Sequence, residues 1–163
     1  MRHETLDSVY NSRVLYQLLH LTMSYFITKG EDLYKLIPQR PPIVEVDTLY
    51  EASATEVHTG LTITEDNYFC EEGRLCEPGL IEHIAQSAAA FAGYTTYLRG
   101  EEPHLGFIGE IKKCKIYELP PLGSDLHTWI EFVSDVNGVS LMKAMTIVDE
   151  RKIAECQIKI FLR

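Results

Sequence analysis

Near the C-terminus, Ala154, Cys156, Ile158 and Ile160 alternate with Glu155, Gln157 and Lys159. This is the period-two pattern of a strand with one buried and one wet face. Comparable runs predict strands over 107–117, 126–136, 139–148 and 152–162, so the last third of the chain is expected to be all strand. Asn137-Gly138 between two of these runs is a strong two-residue hairpin signal, and 149–151 reads as the next turn. Further upstream, 43–51 and 54–64 read as strands carrying Val44, Val46, Val57, Leu61 and Ile63. Asp66-Asn67 and Glu71-Glu72-Gly73 are loop signals.

Two stretches have helical periodicity instead. Over 5–28, Leu6, Val9, Tyr10, Val14, Leu18 and Leu21 recur at three- and four-residue steps, and Gly30 supplies a stop. The polar face is not basic, so packing on the domain or on a partner subunit is expected rather than a membrane-surface role. The second helix is predicted over 79–98, starting near Pro78 and ending before Gly100. Ala85, Ala88, Ala89, Ala90, Ala92 and Gly93 let a curved sheet approach it closely, while Ile81, Ile84 and Phe91 add bulk. Three prolines exclude 36–42 from a helix interior. The expected class is α+β, an antiparallel sheet whose apolar face is covered by the central helix, with an N-terminal helical extension over 1–30 and one domain over 31–163.

Composition narrows the function classes. The chain is 163 residues long, 45% apolar and 24% charged, which suits one globular domain and not a disordered chain. Its net charge of −9 argues against nucleic acid as a partner. The longest apolar stretch, 14–27, is interrupted by Gln17 and His20 and is too short to span a bilayer. No membrane association is expected, and with no signal-peptide pattern a cytoplasmic location is. Cys70, Cys76, Cys114 and Cys156 are scattered, which favours reduced thiols packed as small apolar residues, and their spacing fits no standard zinc signature. Neither metal nor cofactor is expected. Lys112, Lys113 and Lys115 read as a solvated strand face or as a docking patch for an acidic partner.

Three motifs carry a family resemblance. Leu36-Ile37-Pro38-Gln39-Arg40-Pro41-Pro42-Ile43-Val44-Glu45-Val46-Asp47 resembles the "L-L-P-H-R-x-P-x-L-x-V-D" opening of the 3-hydroxyacyl-(acyl-carrier-protein) dehydratases. Gly79 to Gln86 resembles their "Glu-x-x-Ala-Gln" central helix, and Glu118 to Leu126 their "P-x-x-P-G-D-x-L" lead-in to a late strand. With Gly106-Phe107-Ile108-Gly109, the likeness covers about residues 33 to 163. It implies a hotdog fold, in which a sheet wraps a central helix and two units pair edge to edge. Gly73-Arg74-Leu75-Cys76 and the central helix are most similar to the divergent dehydratase-like proteins of aryl-polyene and related pigment pathways.

Dehydration of a 3-hydroxyacyl thioester needs a base for the α-proton and an acid for the departing hydroxide, with donors aimed at the thioester oxygen. The resemblance implies that Glu82 is the catalytic carboxyl, with free helix N-terminal amides near the carbonyl. It further points to Tyr68, Phe69, Leu75, Gly79, Gln86 and Phe107 as substrate-binding positions. Gln86, four residues after Glu82 on the same face, can steady it through its amide. A glutamate in a first helical turn is also favoured by the helix dipole without doing chemistry. The family's base sits in a "G-H-F-P-G" loop, but the corresponding stretch, Asn67 to Gly73, has no histidine. His58, His83, His104, His127, Tyr68 and Cys70 are the substitutes to weigh, each with an ordinary structural role as its alternative. Four readings stay open: an active dehydratase with another base, a partner subunit of a histidine-bearing hotdog chain, an acyl-thioester-binding protein, and a hotdog thioesterase. The expected partners are an acyl carrier protein or coenzyme A thioester and a second hotdog subunit, as homodimer or heterodimer.

Overall fold

Alternation along the late strands sorts their side chains onto two faces, and a helix covers the inner one. In the computed structural model the described residues are 27–101 and 106–162, with Asn11 and Arg13. In chain order they form β1 (Thr28–Lys29), a 3-10 helix (Gly30–Lys35), β2 (Thr48–Ala52), β3 (Glu56–Thr62), β4 (Cys70–Glu71) and β5 (Arg74–Leu75). Then come helix α1 (Glu77–Leu98), β6 (Gly106–Ile116), β7 (Asp125–Val136), β8 (Val139–Val148) and β9 (Arg151–Leu162). Seven strands make one sheet in the order β1-β2-β3-β7-β8-β9-β6, antiparallel throughout, while β4 and β5 form a small hairpin. The α+β hotdog arrangement expected from the sequence is therefore present.

The inner face of the sheet is Val57, Leu61, Leu126, Ile130, Met142, Ala144, Ala154, Cys156, Ile158 and Ile160, which pack with Leu80, Ile84, Ala88 and Phe91 of α1 in one core. The β7–β8 hairpin turns on Asn137 and Gly138, at φ 55° and 78°, as a two-residue loop matching the twist of its strands requires. The β8–β9 turn uses the same left-handed pair at Asp149 and Glu150, without a glycine. Gly93 is where the small-residue helix matters most. A Cβ there would lie 1.9 Å from the carbonyl oxygen of Leu36, so only glycine lets this segment cross the helix.

Several expectations are corrected. The strand expected over 43–51 begins only at Thr48, because the backbone of Ile43 and Glu45 bonds to side chains of α1 instead of joining a ladder. The 3-10 helix at Gly30–Lys35 was not anticipated. Helix α1 starts at Glu77, two residues early, with Cys76 as N-cap. Cys156 packs in the core as expected, but Cys114 is exposed on β6. The helix expected over 5–28 lies outside the described residues, apart from Asn11 and Arg13. Arg13 pairs with Glu56 and stacks over the Trp129 ring at 5.6 Å, on the sheet face away from α1. Among the described residues, no helix is long and apolar enough to cross a membrane.

Candidate active site

Since α1 begins at Glu77, Glu82 falls in the second turn, where the helix dipole no longer explains a carboxylate. Glu77 holds the first-turn acidic position instead. What fixes Glu82 is Gln86, whose Nε2 donates to Glu82 Oε1 at 2.8 Å across one helical turn. That amide is fully committed: Nε2 also donates to the Ile43 carbonyl at 2.7 Å, and Oε1 accepts the Glu45 backbone N–H at 2.7 Å. Gln86 itself is buried, so its orientation is set by these partners and not by solvent.

The sequence pattern places Glu45 within a strand and the Leu36–Asp47 motif without a role of its own, and the structure makes it a second carboxyl beside Glu82. Its side chain is fully buried. Oε2 accepts a bond from Asn67 Nδ2 at 2.8 Å, and Oε1 has no partner. Burial pushes its proton affinity up to about 7; the Asn67 bond opposes this and the nearby Glu82 charge adds to it. The sequence signal was a lone glutamate between Val44 and Val46 in an otherwise apolar run.

His83, next on the helix, points the other way. Its Nδ1–H donates to the Glu45 carbonyl at 2.6 Å, so Nε2 is the acceptor and takes the Thr128 hydroxyl at 2.8 Å. Thr146 in turn donates to Thr128 at 2.7 Å. Burial lowers the His83 pKa to about 4, which keeps the ring neutral. It braces the wall of the site and is not a free base. His58 and His127 pair at 2.9 Å on the opposite sheet face, where His58 stacks on Trp129 at 4.1 Å. The Thr59 hydroxyl, one residue on, reaches Ser87 of α1 at 2.7 Å, so alternation turns His58 away from Glu82. His104 lies outside the described residues.

The remaining candidates are distributed around the helix start. Tyr68 is exposed and edge-on to Phe69, with ring centroids 5.1 Å apart. Phe69 and Leu75 press on Gly79, where a Cβ would come within 2.4 Å of the Phe69 Cβ. Leu75 is wholly buried, so it supports the helix start from beneath. Burial raises the Cys70 pKa, helped by Glu45 and Cys76, which leaves it a poor base. Cys76 makes no side-chain capping bond, so the first-turn N–H groups are uncapped by it. Phe107 is half exposed on β6, the terminal strand of the sheet.

Glu82 lines a cavity of about 140 Å³ together with Ala85, Ala89 and Ala92 of α1, Gln39, and Gly106 and Ile108 of β6. Its polar end is Glu82 and Gln39, whose Oε1 is buried and unbonded. A second, open cavity of about 150 Å³ shares Ala92 with it and is also lined by Phe91, Phe132 and Met142. Apolar cavities of ~150 Å³ accept a benzene-sized group, so each has room for a short run of acyl carbons.

A sheet wrapped around a small-residue helix defines a hotdog fold, and Glu82 lines a cavity beside that helix. The chain belongs to the ApeP-like family: the family's sequence model, described as ApeP dehydratase, matches residues 31–163. Among solved structures, the chain is similar to the ApeI:P dehydratase heterocomplex of Xenorhabdus doucetiae, at 17% identity and TM-score 0.75, over 80% of this chain and 90% of that one. It is also similar to the uncharacterized protein PH1136 of Pyrococcus horikoshii, at 11% identity and TM-score 0.61, over 84% and 95% of the two chains. A hypothetical thioesterase protein with coenzyme A from Streptococcus pneumoniae TIGR4 matches at 11% identity and TM-score 0.58, over 71% and 84%. These likenesses establish the fold. No curated protein matches the chain.

Proposed function

We propose that this chain supplies the carboxyl half of a dehydratase acting on 3-hydroxyacyl thioesters, as one subunit of a pair of hotdog chains. The observation that carries this reading is Glu82, held by Gln86 at the polar end of a cavity lined by alanines. In the proposed reaction a base removes the α-proton, and the electrons of that C–H bond form the new double bond. The C–O bond at the β-carbon breaks, and Glu82 protonates the departing hydroxide to give water. Solvent then returns a proton to Glu82 and takes one from the base. The substrate class is an acyl carrier protein or coenzyme A thioester of the fatty-acid or polyene type.

The described histidines are all engaged elsewhere, which favours a base brought by a second subunit. The heterocomplex known for the Xenorhabdus relative supports a hotdog partner. So does the terminal strand β6, which carries exposed Phe107, Ile108 and Ile111 on an edge no described strand covers. Gly106 and Ile108 of that strand also border the Glu82 cavity, so a chain added there brings its residues towards Glu82. In this arrangement Tyr68, Phe69 and Gly79 flank the substrate near the helix start, while Phe107, between two cavity-lining residues of β6, faces the other side of that strand. The test is reconstitution. The chain mixed with a hotdog subunit bearing the loop histidine is expected to dehydrate a 3-hydroxyacyl carrier-protein thioester, with neither alone doing so; equal turnover by this chain alone overturns the shared-site reading.

A further inference from the structure

Two features of Glu45 are left unused by the reaction just described. Its main chain holds Gln86 through the N–H and His83 through the carbonyl, the residues four after and one after Glu82. Its carboxyl is 0% exposed, and one of its oxygens has no hydrogen-bond partner. A buried carboxyl with no cation beside it does not carry charge cheaply; it keeps a proton instead. Among the described residues, no lysine or arginine pairs with Glu45. The groups that face its carboxyl are Glu82 from α1, Asn67 from the loop before β4, and Cys70 from β4. Asn67 is itself oriented, because its Oδ1 accepts the Phe69 N–H at 2.8 Å and so presents Nδ2 to Glu45. The oxygen that accepts from Asn67 is occupied, which leaves Oε1 to bear the proton.

We propose that Glu45 is a positioning residue for Glu82: the 43–45 segment builds the cradle in which Gln86 holds Glu82, and that cradle tolerates the Glu45 carboxyl only while it is protonated. Ionised Glu45 sets a buried negative charge beside the Glu82 carboxyl, and the pair is then forced apart or must take up a proton again. The midpoint of about 7 expected for Glu45 puts this change close to neutral pH. The geometry thus ties the working pH of the site to a residue that does not touch substrate. This inference rests on the reading of Glu82 as the reacting carboxyl, and it has a readout that does not need turnover.

The experiment is a carboxyl-carbon NMR titration of the full chain labelled in glutamate, comparing wild type with Glu45→Gln, Glu82→Gln and Asn67→Ala. One signal, absent from Glu45→Gln, is expected to titrate near pH 7. Its midpoint is expected to fall in Glu82→Gln, which removes the neighbouring charge, and to rise in Asn67→Ala, which removes a bond to the charged form. A Glu45 signal titrating in the ordinary carboxylate range, or one indifferent to Glu82→Gln, overturns the proposal. Should Glu45→Gln fail to fold, the opposite shifts in the other two variants identify the signal, and their absence overturns the proposal equally. In the reconstituted pair, Glu45→Gln is expected to move the alkaline fall in dehydration rate to higher pH; an unmoved profile reduces Glu45 to a structural role. If the wild-type pair shows no dehydration at all, the reaction assignment fails while the titration still decides the state of Glu45.

Discussion

Gln86 and Glu82 are joined across one turn of α1 by a 2.8 Å hydrogen bond, and the same Gln86 amide is pinned by the backbone of Ile43 and Glu45. The segment after the proline pair therefore forgoes sheet hydrogen bonds and fixes a helix side chain instead. Buried backbone groups must be satisfied, so the arrangement is self-locking: neither Gln86 nor the segment has an alternative partner without exposing the other.

Gln86→Leu keeps most of the volume and removes all three bonds. It leaves the Glu45 N–H and the Ile43 carbonyl without their side-chain partner, each worth ~1–3 kcal/mol when buried and unpaired. Urea denaturation is expected to show a loss of roughly 2–5 kcal/mol, and Glu82 loses its orientation. A variant of wild-type stability contradicts the locking.

The two buried titrating groups act in opposite senses on stability. Glu45 has its folded pKa raised from 4.5 to about 7, so its contribution is full below 4.5 and is lost as pH rises through 7. His83 is depressed from 6.5 to about 4, so its contribution is full above 6.5 and is lost as pH falls through 4. The two slopes largely cancel between pH 4.5 and 6.5. Glu45→Gln removes one of them. Thermal or urea unfolding is expected to show the variant more stable than wild type at pH 8, on the order of 3 kcal/mol. The difference vanishes near pH 4, and the variant's stability climbs more steeply from pH 4 to 6.5. The same gain at every pH contradicts the protonated state of Glu45.

Gly93→Ala tests the seat of the segment before the site. The new Cβ meets Leu36 backbone at 1.9 Å, not the flexible end of a side chain. Overpacking of this kind costs ~1–3 kcal/mol, and the displacement passes through Leu36 to Gln39 at the cavity. A lowered Tm with a weakened substrate affinity is expected; an unchanged Tm means the segment does not cross where described.

Much of the fold was legible from residue pattern. The alternation around Ala154 to Ile160, the Asn137-Gly138 turn and the alanine-rich helix each encode a local feature that the structure repeats. The same holds for the Glu82–Gln86 pairing, since residues four apart on a helix are neighbours by geometry alone. Glu45 was not legible. Its role depends on contacts with residues 22 and 41 positions away, and a glutamate between two valines reads locally as the polar position of a strand. The fates of His58 and His83 were equally hidden: one face of β3 meets α1 and the other turns His58 onto Trp129 of β7, a choice set by tertiary packing.

The central claim is that Glu82 protonates the leaving hydroxide at a site shared with a second hotdog chain. The direct measurement is the dehydration rate of a 3-hydroxyacyl carrier-protein thioester by the reconstituted pair, wild type against Glu82→Gln, with complex formation checked in parallel. Loss of a positioned acid is expected to lower the rate by about 10²- to 10⁴-fold while the two chains still associate. A Glu82→Gln pair that turns over at the wild-type rate contradicts the claim.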